Sequence, residues 1–228
     1  NYAVDERDGG GLGWQIGSTW KPINMVAWML AGKSINQPLR TSMLYNNADF
    51  NCSKFRGVGS WAVQNSGGGT TNPETPLQGL VRSHNTTQAS MAQQIKLCSI
   101  ADAARILGYH NSPLGQESVY SANSLNPPMT IGSVQASPLT VANVYATIGA
   151  DGVACDPIAI KRVVDKNGKR LKVPSAHCHQ AIPKGIAQTA AYALNQGVVQ
   201  PGGEASTTQL DGGRKTFAKT GTNEQYYM

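Results

Sequence analysis

Residues 17–33 read GSTWKPINMVAWMLAGK: a serine stands three places before a lysine at the mouth of an apolar segment. Ile23, Val26, Trp28, Met29 and Leu30 make this segment hydrophobic nearly all round, and Pro22 is tolerated in a first helical turn. The spacing predicts a buried helix over 18–33 with Ser18 near its start. Ser18 and Lys21, at i and i+3, share one face, so the amine can reach the hydroxyl. A serine hydroxyl is a weak nucleophile until a base takes its proton. Lysine can serve as that base only when neutral, a state that burial or a neighbouring cation favours. Backbone N–H groups at the helix start also favour developing negative charge. Taken alone, S-x-x-K recurs by chance, and its ordinary reading is an N-cap serine with a solvated lysine.

Two further patterns give that pair a context. Lys219-Thr220-Gly221, followed by Thr222, lies in RKTFAKTGT (214–222), which reads as a strand. Alternate threonines point the same way along a strand, and glycine lets a substrate backbone come close. Two hydroxyls beside an ammonium make a seat for a carboxylate. The pattern S-x-N occurs four times, beginning at Ser34, Ser83, Ser121 and Ser124. Only Ser83-His84-Asn85 falls at a break between two helical stretches, 76–83 and 86–98, where side chains can project into a cleft. The copies at 121–126 run into Pro127-Pro128, and the copy at 34 follows the first helix too closely to fold back onto it.

The remaining chain reads as one α+β domain. Its 228 residues, 40% hydrophobic, suffice for a sizeable core. Residues 34–75 are loop-rich. Ser99 with Asp102 has the spacing of a capping box for a helix over ADAARILGY, and Ser137-Pro138 opens another. Residues 184–198 form a further helix. Cys155 and Cys178 bracket two strands joined by an Asn167-Gly168 turn, an arrangement that brings these cysteines together. Cys52 and Cys98 are left to pair or to stay free. An even cysteine count with one bonded pair favours an oxidising compartment.

The net charge of +6 suits an anionic membrane surface or wall polymer. The basic residues are dispersed, with no arginine-rich helix or basic-aromatic stripe, so no nucleic-acid partner is expected. His177-Cys178-His179 lacks the partner spacing of a zinc site, because adjacent strand residues face opposite ways. The glycine-rich stretch 8–17 matches neither nucleotide-binding pattern and follows no strand. No metal and no cofactor are expected.

In this order, with the buried helix first and the strand last, the three patterns resemble the S-x-x-K, S-x-N, K-T-G set of penicillin-recognising serine enzymes. The chain resembles the transpeptidase domain of class A, high-molecular-weight penicillin-binding proteins over roughly residues 17–222. GSTWKPI (17–23) is similar to that family's nucleophile segment, with Trp20 where Phe is commoner. LVRSHNTTQASMAQQI (80–95) resembles its second-motif region, TIGSVQASPLTVANVYATIGADGV (130–153) the helix ahead of its last strands, and FAKTGT (217–222) its third motif.

The resemblance implies a penicillin-binding/β-lactamase-like serine transpeptidase fold, an antiparallel sheet packed against helices. It implies that residues 1–228 are one such domain, a partial chain lacking the first and last sheet strands. Ser18 would attack the penultimate D-alanine of a peptidoglycan stem peptide, with Lys21 as general base. Ser83 would relay a proton, held between Lys21 and Lys219, and Asn85 would bind the acyl side-chain amide. Thr220 and Thr222 would bind the terminal carboxylate beside Gly221, with the backbone N–H groups of Ser18 and Thr222 as oxyanion hole. The implied partners are peptidoglycan stem peptides and β-lactam antibiotics. The implied place is the extracytoplasmic face of a bacterial cell membrane, in a membrane-anchored parent with a possible glycosyltransferase domain. Two alternatives are a serine β-lactamase and a β-lactam sensor. The first needs a water-activating carboxylate, for which Glu117 has tempting spacing but lacks the surrounding pattern.

Overall fold

The computed structural model describes residues 3–121 and 123–222. Its regular elements are helices and short strands. The helices are α1 (Lys21–Leu30), α2 (Pro76–Val81), α3 (Asn85–Ile95), α4 (Leu97–Ile106), α5 (Pro138–Gly149) and α6 (Lys184–Val199). The strands are β1 (Trp14–Gln15), β2 (Leu44–Asn46), β3 (Ser60–Ala62), β4 (Gln135–Ala136), β5 (Val153–Ala154), β6 (Val163–Val164), β7 (Arg170–Leu171) and β8 (His179–Gln180). The fold class is α+β, as expected, and the described strands pair antiparallel: β1 with β4, β2 with β3, β5 with β8 and β6 with β7.

α1 is the axis of the core. Every residue from Lys21 to Trp28 is buried, and the helix packs on α3, α4 and α6. Its all-round apolar surface leaves no face for water, which is why it sits centrally. Trp20, at its mouth, is fully buried and meets the Tyr109 ring edge-on at 4.9 Å. The Trp20 indole donates to Asn24 Oδ1 (2.8 Å), and the Asn24 amide donates to Gln88 Oε1 and to the Thr130 carbonyl. That chain of bonds ties the Ser18 segment to α3 through the core, where a buried polar group without partners would be costly.

Several expectations hold. α5 opens at Ser137, whose hydroxyl accepts the Thr140 N–H, and α6 matches the predicted helix. The 155–178 stretch is a hairpin. Lys169 O accepts the Asp165 N–H across its turn, Gly168 is left-handed at φ 81°, and Cys155 is bonded to Cys178. Cys52 is bonded to Cys98, which the spacing alone left open. The loops so closed, with separations of 46 and 23 residues, each restrict the unfolded chain by roughly 3–4 kcal/mol in the chain-entropy model.

Three local expectations fail. The first helix begins as a 3-10 turn over Gly17–Trp20 and ends at Leu30 instead of Lys33. The capping box at Ser99 is absent: α4 already starts at Leu97, after a left-handed Lys96 at φ 68°, so Ser99 lies inside the helix. Burial of Leu97, Ile100, Ala101 and Ala104 decides that start, and packing outweighs one cap. The 34–75 stretch is loop-rich as expected and also contains the β2–β3 pair. The segment 214–222 is not a regular strand: of its residues only Thr222 takes part in a β-bridge. A strand's hydrogen bonds belong to its neighbour, not to itself.

Candidate active site

The 3-10 turn bears directly on Ser18. In such a turn side chains at i and i+3 eclipse, which stacks Ser18 over Lys21, and Lys21 N–H donates to Ser18 O. Gly17 has φ 53°, and a β-carbon there would lie 2.4 Å from the Thr222 carbonyl oxygen. Its N–H donates to the Gly132 carbonyl at 3.0 Å. Only a bare backbone fits between Gly132 and Thr222, so Gly17 brings the end of the K-T-G segment against the turn that carries Ser18.

Lys21 is fully buried. Its Nζ donates to the Ser83 carbonyl (2.6 Å), Ser83 Oγ (3.1 Å) and Asn85 Oδ1 (2.7 Å). All three acceptors are uncharged. Burial, and then the nearby Lys219 ammonium, hold the Lys21 pKa well below the ordinary lysine value. Lys219 Nζ donates to Ser83 Oγ (2.7 Å), Thr220 O (3.1 Å) and Thr220 Oγ1 (3.3 Å). Burial brings its pKa down to about 8. Glu204 opposes both shifts, its carboxylate raising each lysine.

Ser83 Oγ therefore stands between two amines. Ser18 does not share that bonding: among the described residues its half-buried hydroxyl makes no hydrogen bond. The expected contact with Lys21 is not made because the Lys21 amine is turned to Ser83 and Asn85. Catalytic contacts of this kind commonly tighten only when substrate is bound.

The other expected residues gather at the same place. Asn85 begins α3 and is held by its amide, Nδ2 donating to the Gln64 carbonyl at 2.7 Å. Gly221 is buried, and Thr222 is exposed beside Gly17. Glu117 lies elsewhere: its carboxylate accepts the Gly115 N–H and feels Arg7 and His110. A cavity of about 720 Å³ between Asp5, Arg7, His110 and Thr140 contains none of the expected residues. The bonded groups, not the size of a hollow, mark this site.

Sequence reading missed three contributors. The Gln64 carbonyl carries no residue-type signal. Glu74, which touches His84, sits in the loop-rich 34–75 stretch. Glu204, whose N–H donates to the Val81 carbonyl at 3.1 Å, belongs to no pattern. No described helix is long and apolar enough to cross a membrane.

The sequence profile of the penicillin-binding protein transpeptidase domain matches residues 14–228. Penicillin-binding protein 1A of Mycobacterium tuberculosis is 28% identical over 222 residues, covering 93% of this chain and 25% of that protein. The Mycolicibacterium smegmatis protein of the same name is 27% identical over 219 residues, covering 92% and 26%. Among solved structures, M. tuberculosis PonA1 superposes with a TM-score of 0.75 at 24% identity, covering 93% of this chain and 54% of that one. The apo form of M. tuberculosis penicillin-binding protein 3 superposes with a TM-score of 0.76 at 21% identity, covering 100% and 52%. The chain thus spans 25% to 26% of these curated relatives and 52% to 54% of the solved chains.

Proposed function

Because the chain belongs to the penicillin-binding protein transpeptidase domain family, we propose that it cross-links peptidoglycan through an acyl-enzyme on Ser18. Ser18 Oγ bonds to the carbonyl carbon of the penultimate D-alanine of a stem peptide. The bond to the terminal D-alanine nitrogen breaks, and that nitrogen leaves with a proton. An amino group of a neighbouring strand then attacks the ester and restores the Ser18 hydroxyl.

The observation that carries this reading is Ser83 Oγ, 3.1 Å from the Lys21 amine and 2.7 Å from the Lys219 amine. A neutral lysine has two N–H groups and one lone pair. In the neutral form the bond donated to Ser83 Oγ is given up: two N–H groups match the Ser83 carbonyl and Asn85 Oδ1, and the lone pair is left for a hydroxyl. Lys21 is then the base for Ser18, and Ser83 passes a proton toward the leaving nitrogen. Lys219, charged, polarises Ser83 from the other side and, with Thr220 and Thr222, attracts the terminal carboxylate. Gly221 allows the substrate backbone to approach. The Ser18 and Thr222 N–H groups receive the oxyanion, and Asn85 turns its amide to the acyl side chain once Lys21 has moved toward Ser18.

On this reading residues 1–228 are a transpeptidase domain. The parent is anchored at the extracytoplasmic face of a bacterial membrane, and a class A parent would add a glycosyltransferase domain. Two disulfides suit that oxidising side. β-Lactams, which imitate the D-Ala-D-Ala end, acylate the same serine. Fluorescent penicillin tests the reading on the full-length protein. Lasting label on the wild type and none on Ser18→Ala is the expected result. Equal label on both, or none on either, overturns it, and rapid nitrocefin turnover without lasting label assigns a β-lactamase instead.

A further inference from the structure

Ser83 occupies a position that sterics favour for glycine. α2 ends at Arg82, Ser83 N–H donates to Leu80 O (3.2 Å) and His84 N–H donates to Gly79 O (2.8 Å). This is the two-bond Schellman ending, whose left-handed residue is usually glycine. Ser83 takes that role at φ 55°, which costs a residue with a β-carbon roughly 1–2 kcal/mol. A hydroxyl at this point therefore needs support from outside the turn.

Glu74 supplies it. Two residues ahead of α2, it is fully buried, and both its carboxyl oxygens accept from His84 Nδ1, at 2.8 and 3.0 Å. The Thr87 hydroxyl donates to the same carboxyl group. Arg82 approaches it at 3.8 Å. The Glu74 backbone is itself bonded to Leu39 in both directions, at 2.9 and 3.0 Å. One anchored carboxyl group thus grips the residue between Ser83 and Asn85 and a residue in the first turn of α3. The helices have no slack there, since a β-carbon on Gly79 would lie 2.5 Å from the Thr87 side chain.

Resting on the transpeptidase reading, we propose that Glu74 is a positioning residue for acylation. Through His84 and Thr87 it holds the Ser83–Asn85 turn left-handed, which keeps Ser83 Oγ between the two amines and Asn85 at the start of α3 beside them.

The test measures fluorescent-penicillin acylation of the full-length protein at saturating and sub-saturating concentrations. It separates the initial binding constant from the acylation rate per labelled site. Glu74→Gln and His84→Ala are each expected to slow acylation per labelled site about tenfold or more, since ångström-scale misplacement of reacting groups costs up to about a hundredfold. Binding should stay within about threefold, the signature of an interaction felt in the transition state. The double variant should be no slower than the worse single, because both changes break one link. A role in folding alone would lower the labelled fraction and leave the rate per labelled site untouched. A loss below about threefold, or losses that multiply in the double variant, overturns the proposal. Should Glu74→Gln not fold, His84→Ala decides it on the same threshold, its side chain being 22% exposed and peripheral to the core. A wild type that takes no label would sink the transpeptidase reading itself, whereas a labelled wild type with unimpaired variants would sink only the role of Glu74.

Discussion

The turn that carries Ser83 and the segment that carries Lys219 meet at one hydroxyl, yet they are held there by opposite means. The turn is closed by two backbone bonds, a buried carboxyl group and the Lys21 amine. The 214–222 segment forms no regular strand, with a β-bridge at Thr222 alone. Its other ties are side-chain ones: Asn195 Nδ2 donates to Thr216 O (2.7 Å), the Phe217 ring sits over Gly149, and Lys219 reaches Ser83. The first region is positioned by its own neighbourhood. The second is positioned largely by what it touches at its tip, so disturbing Ser83 should loosen Lys219 more than the reverse.

Ser83→Gly separates support from chemistry most sharply. Removing the β-carbon relieves the left-handed turn, so the melting temperature should rise, corresponding to a gain of up to about 1 kcal/mol. Acylation should nonetheless fall about a hundredfold, the ordinary worth of a positioned proton carrier. A drop in both quantities would show that the hydroxyl, not the backbone, holds the turn.

Lys219 offers a test by pH. Its folded pKa, about 8, lies below the ordinary 10.5. Acylation that needs the ammonium should fall as pH rises through about 8, tenfold per unit beyond it. The folded state gives up this proton earlier than the unfolded chain, so between about 8 and 10.5 the unfolded state binds more protons. The Lys219 contribution to stability therefore rises over that window. Activity and this stability term move oppositely, and a rate flat from pH 7 to pH 10 would remove Lys219 from the acylation step.

Asn195→Ala probes the weaker region and carries the smallest expected effect. It removes one side-chain bond to the Thr216 carbonyl, worth about 1 kcal/mol. Acylation should slow a few-fold, with no change in the pH at which it declines. Measured beside Ser83→Gly, it ranks the two anchors of the K-T-G segment.

Much of this was legible in the residues. The nearly all-round apolar surface from Ile23 to Leu30, interrupted by Asn24, read as a buried helix, and the Ser137-Pro138 start was a local signal obeyed locally. The 155–178 hairpin was readable because its turn chemistry and its cysteines agree. Context picked Ser83 from four similar triplets, and the structure brings that copy to Lys21 and Lys219. The strand at 214–222 was misread for a physical reason: alternation of residue types describes a face, whereas a strand exists only with a partner. Ser99 was misread because its capping signal competes with the burial of Leu97.

By itself the sequence determined which side chains are candidates for chemistry and in what order they stand, since one-turn spacings and turn residues act over a few bonds. Tertiary structure alone decided that the Lys21 amine rests on Ser83 and Asn85 instead of Ser18, that Glu74 underlies the Ser83 turn, and that Glu204 opposes both lysine shifts. Burial, charge and hydrogen-bond partners across 62 to 136 residues of chain depend on how distant segments pack. No window of sequence contains that information.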